Sequence, residues 1–131
     1  MGAILGIGTD VVEVDRLRVA LERHGERLLE KAFTEAEARY CRSQADPAVH
    51  FAGRFAAKEA VLKALRTGWS LGIGWRDVEV LSEGRAPEVT LRGRAAEIAR
   101  EMGAGPPILL SISHTRGVAM AVALIQAGNG P

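Results

Sequence analysis

Apolar and polar positions change period several times along the chain. Residues 3–13 alternate with a period of two and predict a strand. Gly6, Gly8 and Asp10 share one face of it, and Leu5, Ile7, Thr9 and Val11 share the other. The first face carries two absent side chains beside a carboxylate, which leaves room for an ion or for another stretch of backbone. From residue 15 the period lengthens. Leu17, Leu21, His24 and Leu28 predict a helix over residues 15–31, with Asp15 as its cap and Gly25 weakening its middle. Its exposed side is basic, with Arg16, Arg18, Arg23 and Arg27. Thr34 and Glu37 have capping-box spacing for a short helix through Arg42. Asp46 and Pro47 suit the N-cap and first position of a third helix, which runs to Leu65 or Arg66 with Gly68 as its stop. Phe51, Phe55 and Leu62 form one stripe on that helix.

The second half is richer in strands. Residues 75–81 and 88–91 read as strands around a turn at Gly84-Arg85-Ala86-Pro87. Residues 94–102 read as a helix ending at Gly103. Residues 108–114 and 118–125 form a hairpin turning at Arg116-Gly117. Residues 68–75, with several Gly and two Trp, read either as a loop or as part of a strand. The order strand, three helices, two strands, helix, hairpin predicts an α+β fold with an antiparallel sheet packed with helices. A single domain over residues 1–126 is expected, followed by a flexible tail at 127–131.

Bulk composition narrows the classes. At 131 residues and 47% hydrophobic, the chain can bury one core and does not read as disordered. A formal net charge of +1 is too balanced for a dedicated nucleic-acid binder, although clustered Arg can still build a local basic patch. The lone Cys41 excludes an internal disulfide and a Cys-built zinc site. No apolar run reaches the roughly 20 residues of a membrane span, and no leader pattern opens the chain. A cytoplasmic protein, with no membrane and no nucleic-acid partner, is therefore expected.

The candidate chemistry rests on two carboxylates in apolar settings. Asp10 ends Gly6-Ile7-Gly8-Thr9-Asp10, and Glu59 sits in Arg54-Phe55-Ala56-Ala57-Lys58-Glu59-Ala60-Val61-Leu62-Lys63. Two acids with nearby lysines suit a divalent metal that handles a phosphorylated substrate, and magnesium prefers that oxygen donor set. Simpler readings stand beside this one. Glu59 and Lys63 have the spacing of an ordinary ion pair on a solvated helix edge. Asp10 could cap the helix that follows. His114, at the tip of residues 108–114, is either a packed rim residue or, flanked by Ser113 and Thr115, a phosphate contact. Ser113 and His114 point to opposite faces and make no nucleophile–base couple. Other magnesium-dependent phosphoryl chemistry, and a non-catalytic binding module, remain open on these residues alone.

Taken together, the segments resemble the holo-[acyl-carrier-protein] synthase family, the small 4′-phosphopantetheinyl transferases. The motifs are Gly6-Ile7-Gly8-Thr9-Asp10 with Glu13 and Arg16, Phe33-Thr34 with Glu37, the block Phe51–Ala60 continuing to Lys63-Ala64, Thr67-Gly68, Trp75–Val80 and Ser111–Thr115. The resemblance implies transfer of 4′-phosphopantetheine from coenzyme A to a serine of apo acyl carrier protein, in fatty acid biosynthesis. It implies Mg2+ held by Asp10 and Glu59, and Glu59 and Lys63 as catalytic residues. It further implies coenzyme A contacts from Arg54, Lys63, Gly68, Ser113, His114 and Thr115, carrier-protein contacts from Arg16 and Arg23, and a homotrimer with sites between subunits. The serine's proton would go to Glu59 or to a metal-bound water. Two departures from the family pattern stand out: Arg66 occupies a position where the family often has glycine, and Asp15 is acidic where a basic residue is common.

Overall fold

The computed structural model describes residues 2–68, 70–82 and 85–128. Its elements are β1 (Ile4–Glu13), α1 (Val14–His24), α2 (Glu26–Ala32), α3 (Glu35–Arg42) and α4 (Pro47–Ala64). A 3-10 turn (Trp75–Asp77), β2 (Val78–Leu81), β3 (Glu88–Leu91), α5 (Gly93–Glu101), β4 (Ala104–His114) and β5 (Val118–Ala127) follow. β1, β5 and β4 form an antiparallel sheet in that order, and β2 pairs antiparallel with β3. The expected α+β class is observed.

α4 is the axis of the molecule. It is apolar nearly all round, and Ala52, Ala56, Ala57, Ala60 and Ala64 are fully buried. Such a helix can only sit inside, covered on several sides. β1 and β5 cover one side, and α1 and α3 another. Small residues let the layers approach closely. β5 turns Ala119, Ala121 and Ala123 inward, and β1 turns Gly6 and Gly8 inward. A Cβ on Gly8 would lie 1.9 Å from the Ala60 carbonyl oxygen, and one on Gly6 1.9 Å from that of Ala64. The room opened by the two glycines therefore holds the backbone of this chain's own helix. Gly8→Ala forces β1 and α4 apart by more than an ångström. We expect a stability loss of about 3 kcal/mol, at the upper end for overpacking. Turnover should fall about a hundredfold, because displacing site groups by an ångström is enough to do so. Urea unfolding and a turnover assay on the same variant check both numbers.

Several boundaries differ from the sequence reading. The helix expected over residues 15–31 is two helices, broken at Gly25 with φ 47°. α1 starts at Val14 with Glu13 as N-cap, so Asp15 lies in the first turn instead of capping it. Asp46 is the N-cap of α4 as expected, and its carboxylate also receives both terminal nitrogens of Arg18 at 3.1 and 3.2 Å. Trp75–Asp77 is a turn, not strand. The described part of residues 68–75 is not strand either. β4 starts earlier than expected, at Ala104. Ala127, expected in a flexible tail, closes β5, and the Gly128 amide donates to the Gly103 carbonyl at 2.9 Å. The expectation for residues 129–131 lies outside the described residues.

The outer face of the three-stranded sheet is uncovered in the single chain. Ile7 and Val11 are each 62% exposed, and Leu109, Val118 and Met120 share that face.

Candidate active site

The close packing of α4 on β1 sets the site. Asp10 follows Gly8 on the inward face of β1, and Lys63 lies on the α4 turn packed against Gly8. The Lys63 ammonium donates to the Thr9 carbonyl at 2.8 Å and to Asp10 Oδ1 at 3.1 Å. Lys63 thus reaches across to β1, a contact that helical spacing does not reveal. The N-cap of α1 is Glu13, so Asp10 does not cap that helix. Glu59, one turn before Lys63, is half-buried.

These groups line one groove of about 670 Å³ together with Glu13, Arg16 and Phe55. Val12, Leu17, Ala20 and Leu28 make the rest of its wall apolar. Phe55 is backed by Trp75, with ring centroids 4.8 Å apart. Arg16 and Arg23 are exposed on α1, seven positions and so about two turns apart, on one side of the helix. Arg18, read as part of that basic side, is occupied by Asp46.

Arg54 leaves α4 elsewhere. It is nine positions before Lys63, about two and a half turns, and so on the opposite side of the helix. Its guanidinium is buried, lies 4.3 Å over the Tyr40 ring and donates from Nη2 to Ser82 Oγ at 2.6 Å. Its Nε is buried with no hydrogen-bond partner among the described residues. Tyr40 meets His50 edge to face, and His50 meets His114 with centroids 5.7 Å apart. Burial, then the charges of Arg54 and His114, lower the His50 pKa. The Arg54 guanidinium, with the two imidazoles near it, is a setting for an anion. His50, His114, Thr115 and Arg116 line a second, open hollow of about 490 Å³. Ser113 faces the other way, on the outer side of the sheet, and the Thr115 hydroxyl accepts from the Gly117 and Val118 amides at 3.3 and 3.2 Å. Gly68 lies in the loop after α4, at φ 60° with open space around it.

The structure thus gathers Asp10, Arg16, Glu59 and Lys63 in one groove. It sets Arg54, Ser113, His114 and Thr115 apart from them, beyond α4 and toward the other edge strand of the sheet.

The 4′-phosphopantetheinyl transferase superfamily model matches residues 6–123. The chain belongs to this superfamily. A holo-[acyl-carrier-protein] synthase of Chlamydia pneumoniae is 45% identical over 124 residues, 95% of this chain and 98% of that protein. An acyl carrier protein synthase of Plasmodium yoelii, solved with ADP bound, superposes with a TM-score of 0.84 at 32% identity, covering 98% of this chain and 99% of that one. The Helicobacter pylori holo-[acyl-carrier-protein] synthase, solved in complex with coenzyme A, gives 0.79 at 29% identity over 92% of this chain and 99% of that one.

Within this transferase, sequence reasoning did not find the buried polar centre behind the groove wall. Lys58 is fully buried and pairs with Glu37, also fully buried, at 2.8 Å. It donates as well to the carbonyls of Trp75 at 3.0 Å and Val78 at 2.5 Å. Glu37 accepts from the Thr34 and Val80 amides at 2.8 and 2.7 Å. Its capping-box role was legible and is observed. The larger role needs Lys58, 21 positions away, and only the fold supplies it. Thr34 also donates its hydroxyl to Glu79 at 2.6 Å. Burial alone would raise the Glu79 pKa, but this bond and the Arg92 guanidinium outweigh it and leave the carboxyl below its usual value. Burial pushes the Cys41 thiol up to about 12, which leaves it unreactive.

Proposed function

We propose that this transferase moves the 4′-phosphopantetheine group of coenzyme A to a serine hydroxyl of an apo acyl carrier protein, in fatty acid biosynthesis in the cytoplasm. The serine oxygen bonds to the β-phosphorus, the pyrophosphate bridge breaks, and adenosine 3′,5′-bisphosphate leaves. One observation carries the reading: a superfamily member has Asp10, Glu59 and Lys63 in a single groove with a long apolar wall. That wall suits the pantetheine arm or an apolar side chain of the carrier protein.

The donor set fits Mg2+, because two carboxylates on one groove leave further positions for waters and phosphate oxygens. The ion would be held by Asp10 and Glu59 and would supply charge neutralisation and orientation of the pyrophosphate. Lys63 neutralises charge growing on the phosphoryl oxygens; its present bond to Asp10 keeps its ammonium at the groove. We assign Glu59 as acceptor of the serine proton, on the strength of its half-buried place in the groove.

The arrangement also supports a homotrimer with composite sites. Arg54, His114 and their neighbours lie on the far side of α4, so they serve a coenzyme A bound chiefly at another copy's groove. The apolar outer face of the sheet, with Ile7, Val11 and Met120 exposed, is the surface such copies would cover.

Intact-mass analysis of apo acyl carrier protein incubated with this protein, coenzyme A and magnesium tests the reaction. The expected result is a gain of one phosphopantetheine group that a chelator abolishes. No gain with several apo carriers would overturn the assignment. The exposed Arg16 and Arg23 fit a partner with acidic helices. Arg16→Glu should raise the KM for carrier protein about tenfold, mostly at low salt, and leave the KM for coenzyme A unchanged. Steady-state kinetics with each substrate varied in turn would separate the two constants.

A further inference from the structure

α4 ends in a closed turn with an unusual occupant. The Arg66 amide donates to the Lys63 carbonyl at 3.0 Å, and the Thr67 amide donates to that of Leu62 at 3.3 Å. This is a Schellman closure, whose left-handed position ordinarily falls to glycine. Here the position is Arg66, with φ 66°. A side chain in that backbone region is strained, and such strain collects at binding sites. Favourable placement of a cation near a helix C-terminus would suit an arginine a residue or two earlier just as well, without the strain.

The position of the side chain gives it a use. Glu59 and Lys63 are one turn apart on α4, and Arg66 sits in the turn that closes the helix just beyond them. Lys63 lines both the Asp10–Glu59 groove and an adjoining hollow of about 340 Å³, whose other charged residue is Arg66. The groove therefore continues past Lys63 to Arg66. Away from Lys63 the lining is largely apolar, with Leu17, Leu28 and Phe55 beside Glu13 and Arg16, and toward Arg66 it carries two cations. Arg66 is exposed, and among the described residues its side chain has no hydrogen-bond or ion-pair partner.

We infer that Arg66 is a further substrate-binding residue, which holds a phosphate of the nucleotide end of coenzyme A while the pantetheine arm lies along the apolar end. The inference rests on the transferase reading, since the substrate's polarity sets the direction along the groove. Arg66 lines the hollow beyond Lys63 at the C-terminal end of α4, so it reaches the substrate beyond the groups held at Lys63. The phosphate is either the pyrophosphate or the 3′-phosphate.

The test uses the full chain and three variants, with coenzyme A binding read by calorimetry so that it does not depend on turnover. Arg66→Gly removes both charge and strain, Arg66→Ala removes charge only, and Arg66→Lys keeps both. Arg66→Gly should melt about 3 °C higher, because glycine is at ease in this turn. It should nevertheless bind coenzyme A about tenfold more weakly, as should Arg66→Ala, while Arg66→Lys stays within about threefold. Repeating the titration with 3′-dephospho-coenzyme A locates the contact. A penalty that vanishes marks the 3′-phosphate, and one that persists marks the pyrophosphate. Three outcomes would overturn the inference: unchanged affinity in Arg66→Gly, a loss confined to the KM for carrier protein, or loss of the oligomer in Arg66→Gly. A wild-type protein that binds coenzyme A but transfers nothing would count against the transferase reading and not against Arg66.

Discussion

Asp10→Asn and Glu59→Gln should each reduce phosphopantetheine transfer about a hundred- to a thousandfold while the protein stays folded. The size of the effect follows from the chemistry. Attack on a pyrophosphate needs its charge neutralised in a site shielded from water, and one misplaced or missing electrostatic partner there costs about 10²–10³ in rate. The stability cost is small. The Asp10–Lys63 pair has a half-exposed lysine, and such pairs contribute about 0–1 kcal/mol. Intact-mass transfer assays across a magnesium titration, alongside urea unfolding, read both quantities. Activity near the wild-type rate in either variant would sink the metal assignment. An activity loss matched by unfolding would instead show that the carboxylates support the fold.

Lys58→Met should remove about 3–5 kcal/mol of stability, a large share of the roughly 5–15 kcal/mol that holds a domain folded. Both partners of the Glu37–Lys58 pair are fully buried. Burial draws the Lys58 pKa down, and the carboxylates of Glu37 and Glu79 oppose that pull. Removing the ammonium leaves the Glu37 charge in the interior with only amide donors, and frees the Trp75 and Val78 carbonyls it had satisfied. The double variant Glu37→Gln/Lys58→Met should lose clearly less than the sum of its single variants, because neither charge is then stranded. Chemical denaturation of the four proteins measures this coupling. A Lys58→Met variant within about 1 kcal/mol of wild type would show that the pair is not needed. The network has functional reach as well. Lys58 holds the Trp75 carbonyl, and the Trp75 ring backs Phe55 in the groove wall.

How much was legible depended on the range of each interaction. The capping box of Thr34 and Glu37 spans three residues and was readable from spacing. The hairpin at Arg116-Gly117 and the length of α4 were equally local. Gly25 was seen to weaken a helix, but whether a weak point becomes a break depends on what each half packs against. Asp46 carried a good N-cap signature, yet Arg18, 28 positions away, claims its carboxylate. Local propensity sets the helix start there, and the fold adds a partner that spacing does not show.

By itself the sequence determined the α+β class, the alternating faces of β1, the candidate pair Asp10 and Glu59, and through its motifs the family. Those features are written in periodicity and in residue type, which tertiary contacts do not alter. Only the tertiary structure decided what fills the space beside Gly6 and Gly8, that Lys63 reaches Asp10 on β1, and that Lys58 and Glu37 form a buried pair. It alone set Arg54 and His114 across α4 from the groove, and it placed Arg66 in the left-handed turn where Gly68 had been expected to stop the helix. Each of these depends on which surfaces come into contact once the apolar helix is buried, and the chain specifies that contact only as a whole.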